Sequence, residues 1–160
     1  MRKKKEGAAV GWAKKIKQTA GFTLIEMIVS IALMGVLSAM IMPAIQQCVT
    51  QVQMDTAIVQ LHKDIRWAQR LADQKQKTVN IHFFRTTPAY HYGILLSGES
   101  EYAKRVYFPK NLSKMTSQTI VIEPDQSFRR NGHIMIQKGE ICRYVYYYQT
   151  GRSRVAAVEE

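Results

Sequence analysis

The run from Phe22 to Met42, FTLIEMIVSIALMGVLSAMIM, constrains this chain more than any other feature. Its 21 residues carry one charge, Glu26. As an α-helix rising about 1.5 Å per residue it would span about 31 Å, close to the roughly 30 Å of a bilayer's hydrocarbon core. A core helix of a soluble domain is seldom apolar all round for so long, because one of its faces usually meets water. Lys14, Lys15 and Lys17 stand directly before the run. The positive-inside bias then predicts a single pass, with the N-terminus cytoplasmic and the C-terminal body across the membrane.

Charge distribution sharpens this. Of the formal net charge of +11, residues 1–21 supply seven Lys or Arg against one acid, Glu6, so more than half belongs to the leader and the body is only mildly basic. An ordinary secretory signal places a small-x-small cleavage site after its apolar stretch. Residues 37–48, LSAMIMPAIQQC, hold no convincing site of that kind. Ala20 and Gly21 lie before the apolar run instead, between it and the lysines. A protease acting there would remove the charged leader and keep the helix.

These residues resemble the class III signal of type IV pilins and type II secretion pseudopilins. The match is Gly21-Phe22-Thr23-Leu24-Ile25-Glu26, followed by the apolar helix with Pro43. The resemblance implies that a prepilin peptidase cuts after Gly21 and that the new N-terminal residue, Phe22, is N-methylated. It also implies that the Phe22 α-amine of one subunit meets Glu26 of its neighbour during assembly. An intramembrane carboxylate is costly and marks function by default. An α-amine, protonated at neutral pH, would offset part of that cost by Coulomb attraction. A second reading needs no partner: Glu26 complements the positive end of its own helix dipole. Pro43 removes one helical hydrogen bond. It either ends the anchor or bends the helix in the filament, as the family implies.

Beyond Gln46 the chain stays helix-like. Met54, Ile58, Leu61, Ile65, Ala68 and Ala72 recur every three or four residues as one apolar stripe. Gln60, Lys63, Asp64 and Gln74 are expected on the opposite face. One helix from about Phe22 to Lys75 is predicted. After Lys77 the period becomes two, and residues 78–84, 90–96, 105–109 and 118–123 read as strands. A further strand is followed by turn signals at Asn131-Gly132, Lys138-Gly139 and Thr150-Gly151. The predicted fold class is α+β, a long N-terminal helix packed on an antiparallel β-sheet. Four segments are expected: a cleaved leader (1–21), the transmembrane half of the helix (22–45), its amphipathic half (46–77) and the β body (78–160).

Within the family, the body is most similar to the minor pseudopilin H of type II secretion and its FimT-type and competence relatives. That similarity rests on Ala68, Gln69, Arg70 and Ala72, on Phe128 with Gly132, and on the terminal TGRSRV. It implies a minor subunit whose partners are prepilin peptidase, other pilins of the same filament, an inner-membrane assembly platform and the bacterial inner membrane.

Candidate chemistry is sparse. His62, His82, His91 and His133 show no metal-ligand spacing, and no phosphate loop or GxSxG elbow occurs. No catalysis, metal or cofactor is expected. Cys48 and Cys142 can make at most one bridge; a free buried thiol is the expectation, with the disulfide as alternative. In the GRSR tail, Arg152 and Arg154 share a strand face. With Arg129, Arg130, Lys138 and Arg143 they could form a basic patch that grips phosphates. GRxR also resembles a motif linked to DNA capture in FimT-type pilins. The plainer reading is a turn glycine before a solvated edge strand whose arginines discourage aggregation. The leading expectation is a minor pseudopilin of a secretion or competence filament. The alternatives are a DNA-binding minor pilin or a plain signal-anchored envelope protein.

Overall fold

The computed structural model describes residues 22–86, 89–116 and 118–157. Gly21, the expected cleavage position, and the leader lysines lie outside them. Helix α1 runs Leu24–Lys75 without interruption at Pro43. The described chain divides into two compact units between Ile41 and Met42. In the first, the helix is exposed on every side, including Phe22, Ile31 and Met40, as an all-round apolar segment must be without lipid or a partner.

The second unit holds the rest of α1 and eight strands: β1 Val79–Phe84, β2 His91–Leu96, β3 Lys104–Tyr107, β4 Lys114–Met115, β5 Ile120–Ile122, β6 Gly132–Lys138, β7 Ile141–Tyr147 and β8 Ser153–Ala156. They form two four-stranded antiparallel sheets, ordered β3-β2-β1-β5 and β4-β6-β7-β8. The body is therefore two sheets under the helix rather than one. Strand residues alternate faces, so Val79, Ile81 and Phe83 face inward opposite Leu96, Ile94 and Tyr92. Ile134 and Val145 pair inward in the second sheet. All six residues of the predicted helix stripe are buried, and both sheets share one core with them.

Three local expectations change. Asp64 is not on the solvent face; it is 3% exposed. Asn131-Gly132 is not a hairpin turn. The chain reverses at residues 123–127, where Glu123 N–H donates to the Ser127 carbonyl and Gln126 takes a positive φ of 67°. Gly132 instead opens β6 beneath Tyr147, where a Cβ would come within 2.7 Å of the ring's Cζ. The Lys138-Gly139 turn is displaced by one position: β6 and β7 are joined through Gly139-Glu140, with Lys138 paired to Ile141 and Gly139 at φ 60°. Strand β7 puts Val145 and Tyr147 inward, so Tyr146 and Tyr148 belong to the outer face.

Candidate functional site

The first candidate site is the start of α1. Thr23 precedes the helix and its Oγ1 accepts from the Glu26 N–H at 3.3 Å, the N-cap half of a Thr-x-x-Glu capping box. Glu26 is thereby held in the first turn, and its carboxylate has no hydrogen-bond partner among the described residues. Phe22 beside it is 77% exposed. Pro43 lies inside the helix. Cys48 is free and exposed on α1, and Cys142 is free and half-buried in β7, so neither is the buried thiol expected.

The second lies where the β7–β8 connection meets the helix. Tyr148 to Arg152 form the loop, with Gly151 at φ 77°. Two helix side chains brace it. Gln69, 3% exposed, donates from Nε2 to the carbonyls of Gly151 at 2.9 Å and Gln126 at 2.7 Å. His62 Nε2 lies 3.0 Å from Ser153 Oγ and 3.2 Å from its carbonyl. Arg152 is exposed between those two anchored residues. Arg154 stacks near Tyr146 and Tyr148, and its Nε donates to the Tyr148 hydroxyl at 3.2 Å. Both arginines line a cleft of about 650 Å³ with Tyr148, Asn131 and Gln149.

A third arginine of this cleft, Arg66, comes from the helix, and sequence reasoning missed it. Its only local signal was a position between His62 and Gln69 on one helix face. Three residues of the expected basic patch are used elsewhere. Arg143 turns inward to pair with Asp55, Arg129 pairs with Glu123 at 2.8 Å, and Lys138 donates to Gln53 at 3.0 Å. Arg130 lines a separate cleft beside Gln118 and Thr119. The histidines do not gather with acids or cysteines into a metal-binding group among the described residues.

A further missed feature is a second helix stripe. Ile45, Val49, Val52 and Val59, with Thr56 between the last two, repeat at four- and three-residue spacing on the face opposite the buried stripe. The four aliphatics are 43–64% exposed. Beside them, Ala57, Val106, Phe108 and Pro109 line a groove of about 450 Å³.

Residues 16–42 match the model of the prokaryotic N-terminal methylation motif. No curated protein matches the chain. The fold is similar to that of the type IV minor pilin FimU of Pseudomonas aeruginosa (strain PAO1) in two crystal forms. In one, the TM-score is 0.53 at 16% identity, covering 64% of this chain and 87% of that one. In the other it is 0.52 at 15% identity, covering 64% and 91%.

Proposed function

We propose that this type IV pilin-like chain, which joins the prepilin methylation motif to a pilin fold, is a non-catalytic minor subunit of a secretion or DNA-uptake filament. The observation that carries this reading is the exposed stripe Ile45, Val49, Val52 and Val59. An apolar seam of heptad spacing, continuing about four turns beyond the anchor, is costly in water and suits a neighbouring helix. The resemblance of the body to FimT-type pilins and the minor-pilin fold of FimU both favour a minor over a major subunit.

The rest of the mechanism follows from that assignment. Residues 1–21 act as a leader that sets an N-in, single-pass topology in the inner membrane and is removed after Gly21. Residues 22–45 anchor the chain, 46–77 carry the seam and the core stripe, and 78–160 form the extracytoplasmic body. The methylated amine of Phe22 and the carboxylate of Glu26 set register between adjacent subunits, and Pro43 lies where the helix leaves the bilayer. The test is paired. Glu26→Ala and Val52→Asp should both be processed by prepilin peptidase, seen as a gel-mobility shift, yet be lost from sheared filaments. Unaltered incorporation of both variants would overturn the reading. A leader retained in the presence of the peptidase would assign the chain as a plain signal anchor.

A second reading is favoured by one observation: Arg66, Arg152 and Arg154 line the same cleft. Guanidinium forks match phosphate oxygens, so the cleft suits a DNA backbone. Arg152→Ala/Arg154→Ala should then abolish retardation of duplex DNA in a gel, and an unchanged shift would remove this reading.

A further inference from the structure

The outer face of the first sheet carries rings that the core does not use. Phe84, His91 and Tyr107 lie directly opposite one another across β1, β2 and β3. Their rings make a row, with centroids 4.7 Å apart at 16° for Phe84 and His91, and 5.0 Å apart at 35° for His91 and Tyr107. The row ends on an edge strand, where Tyr107 is 63% exposed.

Next to the row, Tyr102 is laid over Gly93; a Cβ at that glycine would come within 2.5 Å of the ring. His82 and Phe84 meet the Tyr102 ring nearly edge-on. The Arg105 guanidinium, paired in register with Gly93, is stacked 4.7 Å from the Tyr102 centroid. Glu99 and Glu101 belong to the loop that carries Tyr102, yet Arg105 forms no ion pair among the described residues. Arg85, also exposed, follows Phe84 in the chain.

Cross-strand rings alone would stabilise a sheet. That role does not call for a ring column left open at its edge, or for a guanidinium held on a ring beside it. We propose that this face binds single-stranded nucleic acid, one base continuing the ring column at Tyr107 and the adjoining phosphates meeting Arg105 and Arg85. Every base has a π-face that stacks on an aromatic ring, and exposed strands of antiparallel sheets are suited to that contact. Arg105 is already oriented by Tyr102, so its donors are set for a phosphate. A duplex hides its base faces and does not fit. The face belongs to the other sheet from the arginine cleft, and the proposal stands whether or not that cleft binds DNA.

The test uses the full-length protein in detergent micelles, titrated against a single-stranded oligodeoxynucleotide containing one 2-aminopurine. Binding should quench the fluorescence as the base stacks. Tyr107→Ala should weaken binding about tenfold or more and remove the quench, while Tyr107→Phe keeps both. Arg105→Gln should weaken binding and flatten its salt dependence, and Arg152→Ala/Arg154→Ala should leave the quench in place. Tyr107 lies mostly outside the core, and circular dichroism checks that its variants fold. Absence of a quench, equal affinity for a duplex in the Arg152→Ala/Arg154→Ala background, or insensitivity to Tyr107→Ala would overturn the proposal. So would loss of the quench in the Arg152/Arg154 variant, which moves binding to the cleft. A response to an acidic oligosaccharide without one to the oligonucleotide would likewise overturn it and assign the face to a glycan.

Discussion

Replacing Asp64 by alanine should cost the folded body about 2–4 kcal/mol, most of it from one orphaned hydroxyl. Asp64 sits at the flank of the buried helix stripe. Its Oδ2 accepts from the Tyr92 hydroxyl at 2.6 Å; its Oδ1 accepts from Lys104 Nζ at 2.7 Å and Gln60 Nε2 at 3.0 Å. These bonds tie α1 to both β2 and β3. Tyr92 is 1% exposed, so after Asp64→Ala its hydroxyl cannot turn to water, a loss of about 1–3 kcal/mol. Lys104 behaves differently. Its side chain is 37% exposed, so it can swing out and rehydrate, which holds the total to about 2–4 kcal/mol rather than the roughly 3–5 kcal/mol of breaking a fully buried pair. At about 4 °C per kcal/mol for a body of this size, the midpoint should fall by about 8–16 °C. Scanning calorimetry of the full-length protein in micelles measures it, and Asp64→Asn, which keeps an acceptor for Tyr92, should lose about half as much. Combining Asp64→Ala with Tyr92→Phe should recover about 1–2 kcal/mol relative to additivity. A loss under about 1 kcal/mol, or strict additivity, would refute the orphaned-hydroxyl account.

Alkaline stability provides a second test. Burial, reinforced by the hydrogen bond to the Asp64 carboxylate, pushes the Tyr92 phenol well above its ordinary value near 10, and burial also raises Tyr147. The folded state therefore keeps protons that the unfolded chain loses, so stability is intact below about pH 10 and declines above it. Each phenol contributes up to about 1.4 kcal/mol per pH unit there, and Tyr92→Phe should lower that slope in pH-dependent melts. Gly132→Ala should cost about 1–3 kcal/mol by overpacking against Tyr147, which is 4% exposed and hemmed in by Phe128; an unchanged midpoint would show that the ring can move. Cys48 should react with a maleimide without reductant and Cys142 more slowly, both giving mass shifts; a bridge would block both.

How far local pattern reaches is clear from α1. Its buried stripe follows from spacing alone, because a helix turns 100° per residue whatever surrounds it. Two buried polar residues, Asp64 and Gln69, depart from the apolar pattern: Asp64 was expected in solvent but finds Tyr92 and Lys104, and Gln69 finds two loop carbonyls. Buried polar groups are tolerated only where such partners exist, and those partners lie 28 to 82 residues away. The strands were legible from their period of two. Their division into two sheets was not, since β5 returns to β1 while β4 joins β6. Asn131-Gly132 carried the composition of a hairpin turn, yet the glycine is required by the closeness of Tyr147, a contact between neighbouring strands.

By itself, then, the sequence determined the anchor-length apolar run, the Gly21 to Glu26 motif and the amphipathic continuation, all written in residues within a few turns of one another. It also contained the exposed seam at Ile45, Val49, Val52 and Val59, which only burial distinguished from the core stripe. Tertiary structure decided which arginines share a cleft: Arg66 joins Arg152 and Arg154, while Arg143 and Arg129 are held by Asp55 and Glu123. It likewise assembled the ring row of Phe84, His91 and Tyr107. The physical reason is that helix periodicity is a property of the local backbone, whereas a cleft or a ring row exists only after strands far apart in the chain have paired in register.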